Sequence, residues 1–370
     1  AVTSVDTPPK DAVLPAGDGK GKCAPTTTIA YIGAETGANA QLGINIYNGV
    51  QLAIDQHNKA NPPDCQVQFK KFDTEGTPDK ATGPVTQAVG EADIVGVIGL
   101  PFSGESKATG NIFEQQGLVH LTPSATNPRP DQERLDDVLP RLGNDSQQGP
   151  RGGEVRHRHP EGQEGLPGPG RLRLRHRPRH GDQRRARQGA RRHRQGHHRP
   201  EGLLGHDLQD PQRQARRRLL RRLLRGGRAV RPAARRQGLQ GAFVGPDGVK
   251  DDQFIKLAGD ASKNAYFTCP CIPGELLTDF AKQYQAASNA APGTYSIEGY
   301  DATTVLLAGI DAGKQTRADL KDWVKNYDKD GLSKHYKWDA TGELQAPPRC
   351  TATRSTTARS STSDRSVSDP

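Results

Sequence analysis

No run of apolar residues in this 370-residue chain approaches the roughly 18 that suggest a transmembrane helix. A secretory signal peptide is missing too, and the chain opens on Ala1 rather than Met, as a mature or trimmed chain does. Catalytic signatures are absent. There is no nucleophile elbow and no metal-ligand motif, and SGESKATG (103–110) lacks the Gly-Lys-Ser/Thr order of a phosphate-binding loop. The paired acids Asp136 and Asp137 read as solvated loop residues, so the expectation is a protein that is not an enzyme and takes no cofactor. The most uneven absence lies between Arg151 and about Gln237, which contains no Lys and no Phe, Tyr or Trp. That stretch holds 26 Arg and eight of the chain's 11 His.

This block distorts every whole-chain average. Its 26 Arg against 7 acids give +19, whereas the full chain carries +10, so the remainder is acidic at 10 − 19 = −9. The overall basic balance is therefore no guide to partners. An Arg-rich nucleic-acid-binding element on an α/β domain is the alternative reading, since such charge suits phosphate contacts. The block lacks the aromatic residues that stacking platforms use, and it has no RGG regularity, so no nucleic-acid partner is expected.

Outside the block the chain alternates strand and helix patterns. TIAYIGA is a short apolar strand, and Gln41–Asn58 places Leu42, Ile46, Val50, Ala53 and Ile54 at helical spacing until Asn61-Pro62-Pro63 stops it. VQFKKFD, DIVGVIGL and LVHLTPS read as further strands, with helices over Lys80–Ala92 and about Glu105–Gln116. After the block come GAFVGPDG as strand and turn, a short helix over Asp251–Ala258, and the strand NAYFTCP. Helices follow over Glu275–Ala287, Ile297–Ala312 and Arg317–Tyr327, then HYKWDATGEL as a late strand and turn. Such alternation implies a parallel sheet with crossover helices, an α/β fold. Residues 1–22, rich in Pro, Gly, Asp and Lys, read as a flexible tether. The tail from Arg349 is Ser/Thr/Arg-rich with no apolar pattern.

Five cysteines are present. Cys23 and Cys65 each precede a predicted strand, which leaves two readings: a disulfide across neighbouring strands, or two unrelated buried thiols. Cys269 and Cys271 lie two apart in TCPC, and Cys350 lies in the tail. No second Cys/His pair has ligand spacing outside the Arg-rich block, so no metal site is expected.

PFSGESKATG (101–110) and TPSATNP (122–128) resemble the branched-chain amino acid (Leu/Ile/Val) binding proteins of ABC importers, which have the type I periplasmic-binding fold. GANAQLGINIYNGVQLAI, FDTEGTPDKAT, NDSQQGP, GPDGV, TYSIEGYDATTVLLAGI and KWDATGEL extend the likeness, in the family's order, over roughly 24–150 and 239–347. The resemblance implies two doubly wound parallel-sheet lobes with a ligand cleft between them. Residues 24–144 and 273–329 would form the first lobe, 145–272 and 330–348 the second, with 1–23 as the tether. It implies that Ser103 and Thr126, with the backbone of Ser124 and Ala125, hold the ligand at strand ends on the first lobe. A helix N-terminus there supplies N–H donors and a positive dipole end for an α-carboxylate. Asp247 matches the second-lobe acid that pairs with the α-ammonium, and Leu42 is placed to touch the ligand side chain. Tyr295 and Glu298 are read first as core or surface residues, with lining the cleft as the alternative. The family context also implies a monomer that delivers an amino acid to a membrane permease and its ATPase. It implies an extracytoplasmic location, periplasmic or lipid-anchored at a cell surface.

The same family explains the odd block as a shifted reading frame. Where relatives carry a strand of the type FYGGYYAEAG, with a ligand-contacting Tyr, this chain reads RLLRGGRAVRPAARRQG. Skipping one base in a suitable back-translation yields GYYAEAGQFARQLADKG. PGRLRLRHRPRHG and PRGGEVRH likewise yield family-like segments, and the tail does so in the other shifted frame. GC-rich codons read out of frame give Arg, Gly, Pro, Ala and His, which is the block's composition. Residues 151–237 and 349–370 are therefore expected to be out of frame, with 151–237 disordered and the second lobe disrupted. Asp247 would then lack a scaffold to position it.

Overall fold

The computed structural model describes residues 8–127, 243–250, 265–340, 342–345 and 351–354, with Phe254, Ala258 and Ser262 as single positions. The Arg-rich block, most of the expected helix over 251–258, NDSQQGP and most of the tail lie outside the described residues. The described residues fall in one compact unit spanning Ala1–Val155 and Arg231–Pro370.

Its core is a four-stranded parallel sheet in the order β2-β1-β3-β4. The strands are β1 (Thr28–Gly33), β2 (Gln68–Asp73), β3 (Ile94–Gly99) and β4 (Val119–Leu121). Both β1 and β3 are buried along their whole length, as central parallel strands covered on two faces must be. Helix α1 (Ala40–Ala60) buries Ile46, Val50, Ala53 and Ile54, a stripe at three- and four-residue spacing. Full burial of each such Val or Ile contributes about 1.5–3 kcal/mol. The helix stops where Asn61 turns extended before Pro62, and the Asn61 Nδ2 donates back to the His57 carbonyl at 3.0 Å.

Helices α2 (Pro78–Gly90) and α3 (Ser103–Gln115) pack on each other. With Ala30, Ile32 and Val97 from the strands they form one apolar layer, through Ala81, Val85, Ala88 and Phe113. Ile29, Tyr31, Val95 and Ile98 point into a second layer with α1, α4 (Thr278–Ser288), α5 (Ser296–Asp311) and α6 (Arg317–Lys325). Helix α5 is buried nearly all round and lies against α1 with almost no gap. A Cβ on Gly49 would stand 2.1 Å from the Ser296 carbonyl oxygen, and one on Gly299 would stand 2.8 Å from that of Ile46, so glycine is required at both contacts.

A second sheet has the order β5-β6-β9. Strands β5 (Phe243–Gly245) and β6 (Ala265–Cys269) are parallel, and β9 (Thr351–Arg354) pairs antiparallel with β6. The tail has no apolar pattern, yet TATR forms this edge strand. Main-chain pairing asks only for non-proline residues, and Thr, being β-branched, suits an extended backbone. A small hairpin, β7 (Asp328–Asp330) with β8 (His335–Lys337), completes the described elements.

The N-terminal stretch also differs from expectation. Residues 8–23 are held against the unit rather than free of it. Val13 N–H donates to the Asp330 carbonyl at 2.8 Å, Gly21 N–H to Asn61 Oδ1 at 2.7 Å, and Cys23 is disulfide-bonded to Cys65. Composition flagged few large apolar residues there, but anchoring comes from hydrogen bonds and one covalent bond instead. A second disulfide joins Cys269 and Cys271. Among the described residues no helix is long and apolar enough to cross a membrane.

Candidate functional site

The strand order 2-1-3-4 reverses direction between β1 and β3, and in doubly wound sheets the crevice for ligands opens at the carboxyl ends of the strands at such a point. The loops leaving β3 and β4 carry Ser103, Ser124, Ala125 and Thr126.

These two loops are stitched together by hydrogen bonds. Leu100, just past β3, has φ +48°, a conformation a branched side chain adopts only when its surroundings over-determine it. The surroundings do so: Ser106 Oγ and Thr122 Oγ1 both donate to the Leu100 carbonyl at 3.2 Å. Ser124 Oγ donates to the Pro101 carbonyl at 2.8 Å, so the Ser124 side chain is committed to the scaffold and its backbone remains to meet a ligand. Thr122 Oγ1 accepts from Ala125 N–H at 3.1 Å, and Ser103 Oγ accepts from Asn127 N–H at 3.2 Å. As an acceptor there, the Ser103 hydroxyl keeps its proton to donate. Ser124, Ala125 and Thr126 are all buried, and Ser103 is half-buried in the first turn of α3.

The start of α3 is held by Glu105. Its carboxylate is fully buried, accepts from Phe102 N–H at 3.1 Å and pairs with the Thr74 hydroxyl. Burial raises its pKa, and the Thr74 bond works against that shift. Leu42 sits in the first turn of α1, partly buried against the larger core layer.

Asp247 opens a 3₁₀ turn, Asp247–Val249, directly after β5. It is buried and accepts a hydrogen bond from the Tyr295 hydroxyl at 2.6 Å. The expectation that Asp247 lacks a scaffold is therefore corrected. Strand β5 is registered on β6, both from chain outside the Arg-rich block. Thr294 Oγ1 also ties the turn down, donating to the Lys250 carbonyl at 2.7 Å. Tyr295 itself has φ +66° at the head of α5, a second left-handed non-glycine residue at this site. Tyr295, read first as a core or surface residue, is buried, and its hydroxyl is aimed at the candidate ligand acid. Its spacing carries no signal for this, because the contact joins residues 48 apart.

Lys250 was also missed. Burial lowers its pKa, against the raising charges of Glu275, Glu298 and Asp247. Glu298, read first as a core or surface residue, is buried: its Oε1 accepts from Ile272 N–H at 3.0 Å and lies 3.4 Å from the Lys334 ammonium. Lys334 in turn donates to the Pro270 carbonyl at 2.9 Å. The family-type Tyr expected from the shifted block lies outside the described residues.

A doubly wound parallel sheet with hydroxyl-bearing loops at its carboxyl edge, and a buried acid presented from a second sheet, defines the type I periplasmic-binding fold. Residues 26–160 match the family described as periplasmic binding protein. Over 123 residues the chain is 30% identical to the Leu/Ile/Val-binding protein of Escherichia coli K12, covering 33% of each. It thus spans about a third of the length of the curated relatives it matches. Among solved structures it is similar to a periplasmic binding protein type 1 from Bordetella pertussis (TM-score 0.63, 16% identity, 90% of this chain and 98% of that one). It is also similar to the branched-chain amino acid transporter substrate binding protein LivJ of Streptococcus pneumoniae in complex with isoleucine (TM-score 0.58, 19% identity, 86% and 93%).

Proposed function

We propose that the protein is an extracytoplasmic solute receptor that captures an α-amino acid, of branched-chain type, and presents it to the permease and ATPase of an ABC importer. The observation that carries this reading is the presence of two opposite chemistries within one compact unit. One is a hydroxyl and N–H cluster at the start of α3, from Ser103 to Thr126. The other is a buried carboxylate, Asp247, held by Tyr295 on a separate sheet. An amino acid taken out of water needs both its charges met, and such a pair does this without any catalytic group. Ser103 and Thr126, with the Ala125 backbone, would hold the carboxylate, Asp247 and the Ser124 backbone the ammonium, and Leu42 the side chain. The role is binding rather than catalysis, and the named relatives are binding proteins.

We further read residues 151–237 and 349–370 as out of frame. The family match ends at residue 160, close to where the composition changes. A frame-repaired chain then binds more tightly than the chain as written, because the repair restores the Tyr-bearing strand. Calorimetry with leucine, isoleucine and valine on both chains tests this, alongside the nucleotide sequence over codons 148–240. Failure of the repaired chain to bind any α-amino acid defeats the receptor reading. Equal tight binding by both chains defeats the frame reading.

A further inference from the structure

The densest group of metal-ligating side chains among the described residues lies away from the candidate site. It sits at the C-terminal end of α1, about 22 Å along the helix from Leu42 at 1.5 Å per residue. There the ligand atoms of His57, Cys65 and Asp311 all lie within 4.8 Å of one another, and Cys23 is bonded to Cys65.

The imidazole is already oriented for a cation. Asn58 is fixed by two main-chain bonds to Val67, donating to its carbonyl and accepting from its N–H, each at 2.9 Å. The Asn58 oxygen therefore faces His57 Nδ1 at 3.2 Å, which makes Nδ1 the N–H donor. His57 Nε2 then stands 2.9 Å from Asp311 Oδ1, so a ring nitrogen and a carboxylate oxygen converge on one point. A zinc-class ion takes the same two atoms, with the His Nδ1–H held by a second partner as in metal sites generally.

Main-chain hydrogen bonds hold the backbone beside both cysteines. Gly21 N–H is held by Asn61 Oδ1 at 2.7 Å and Ala24 N–H by Gln315 Oε1 at 2.9 Å, on either side of Cys23. Cys65 N–H is held by the Pro62 carbonyl at 2.8 Å. Two thiolates, an imidazole and a carboxylate are the donor types of a tetrahedral zinc site, whose ligand atoms stand about 3.3–3.8 Å apart. The disulfide sulfurs must separate to reach that spacing.

We propose that the dithiol form of this site binds one zinc-class divalent cation through Cys23, Cys65, His57 and Asp311, so that the same residues hold either a disulfide or a metal. A phosphine with water reduces the disulfide to two thiols and leaves as the phosphine oxide. The metal then displaces both thiol protons. This inference is independent of the amino-acid receptor reading, and its test uses no amino acid.

The full chain is reduced with a water-soluble phosphine under argon, given zinc or none, and alkylated. Alkylation is followed at each cysteine by peptide mass spectrometry. Zinc should slow alkylation of Cys23 and Cys65 tenfold or more relative to Cys350. Cobalt in its place should give thiolate-to-metal charge-transfer bands. His57→Gln should lose most of this protection, with circular dichroism of its disulfide form as the control for folding. Equal alkylation of Cys23, Cys65 and Cys350 in the presence of zinc overturns the proposal, and that wild-type comparison decides whether or not the variant folds. Full protection persisting in folded His57→Gln also overturns it.

Discussion

Replacing Lys334 by Met should be among the most damaging single changes in the chain, and adding Glu298→Gln should repair part of the damage. Glu298 and Lys334 are 0% and 2% exposed, with 3.4 Å between charged atoms. At an effective dielectric near 20, unit charges at that distance attract by about 5 kcal/mol. Removing one partner of a buried pair costs about 3–5 kcal/mol, because the other charge is left in an apolar setting. Glu298 is poorly served otherwise, since its second oxygen, Oε2, is buried without a hydrogen-bond partner. In Lys334→Met the buried Glu298 carboxylate loses the ammonium beside it. In Lys334→Met with Glu298→Gln no charge is left over, and the amide oxygen still accepts from Ile272 N–H. The double variant should be at least about 2 kcal/mol more stable than additivity allows, within the range seen for contacting residues. Urea unfolding followed by tryptophan fluorescence reads this directly. The chain has only two Trp, and both Trp323 and Trp338 pack in or against the same core layer as Glu298's helix. A loss under about 1 kcal/mol for Lys334→Met, or strictly additive losses, would refute the reasoning.

Opening the Cys23–Cys65 link as Cys23→Ala with Cys65→Ala frees a loop of 42 residues and should cost about 4 kcal/mol by chain entropy, measured by the same unfolding curves. Cys269→Ala with Cys271→Ala closes almost no loop, so its entropic cost should be far smaller; the reverse ranking would contradict the argument. Burial raises the pKa of Asp301 to about 6 from its ordinary 3.8, against hydrogen bonds from Ser333, Leu332 and Tyr336. The folded state therefore holds that proton more tightly than the unfolded chain. Its contribution makes stability rise, by about 3 kcal/mol, as pH falls through the window from 6 to 4. Asp301→Asn should flatten that slope in pH-dependent unfolding. In the frame-repaired chain, Asp247→Asn should weaken amino-acid binding tenfold or more by calorimetry, with Tyr295→Phe weaker in effect. Unchanged affinity in Asp247→Asn would remove Asp247 from the site.

The regular elements of the first sheet were legible because their signals are local. IVGVIG is apolar throughout and is a central strand, and the Ile46–Ile54 stripe is the buried face of α1. Boundaries moved by one or two residues, as at α3, which begins at Ser103 rather than Glu105 because the Glu105 carboxylate reaches back to Phe102 N–H. Ser103, Ser124, Ala125, Thr126 and Asp247 could be picked out by resemblance, since each sits in a short contiguous motif. What they bond to could not be read that way. The Tyr295–Asp247 bond, the Glu298–Lys334 pair and the meeting of His57 with Asp311 join residues 48, 36 and 254 apart. No window of sequence contains such a pair.

By itself, then, the sequence determined the alternation of strand and helix, the stops at Pro62 and the uneven charge of 151–237, because propensity, periodicity and composition act over a few residues. Tertiary structure decided the strand order 2-1-3-4, with its switch point between β1 and β3. It also decided the anchoring of the N-terminal stretch and the orientation of Asp247. Those depend on which distant groups share a dry interior, where an unmet charge or hydrogen bond costs enough to select one arrangement over the others.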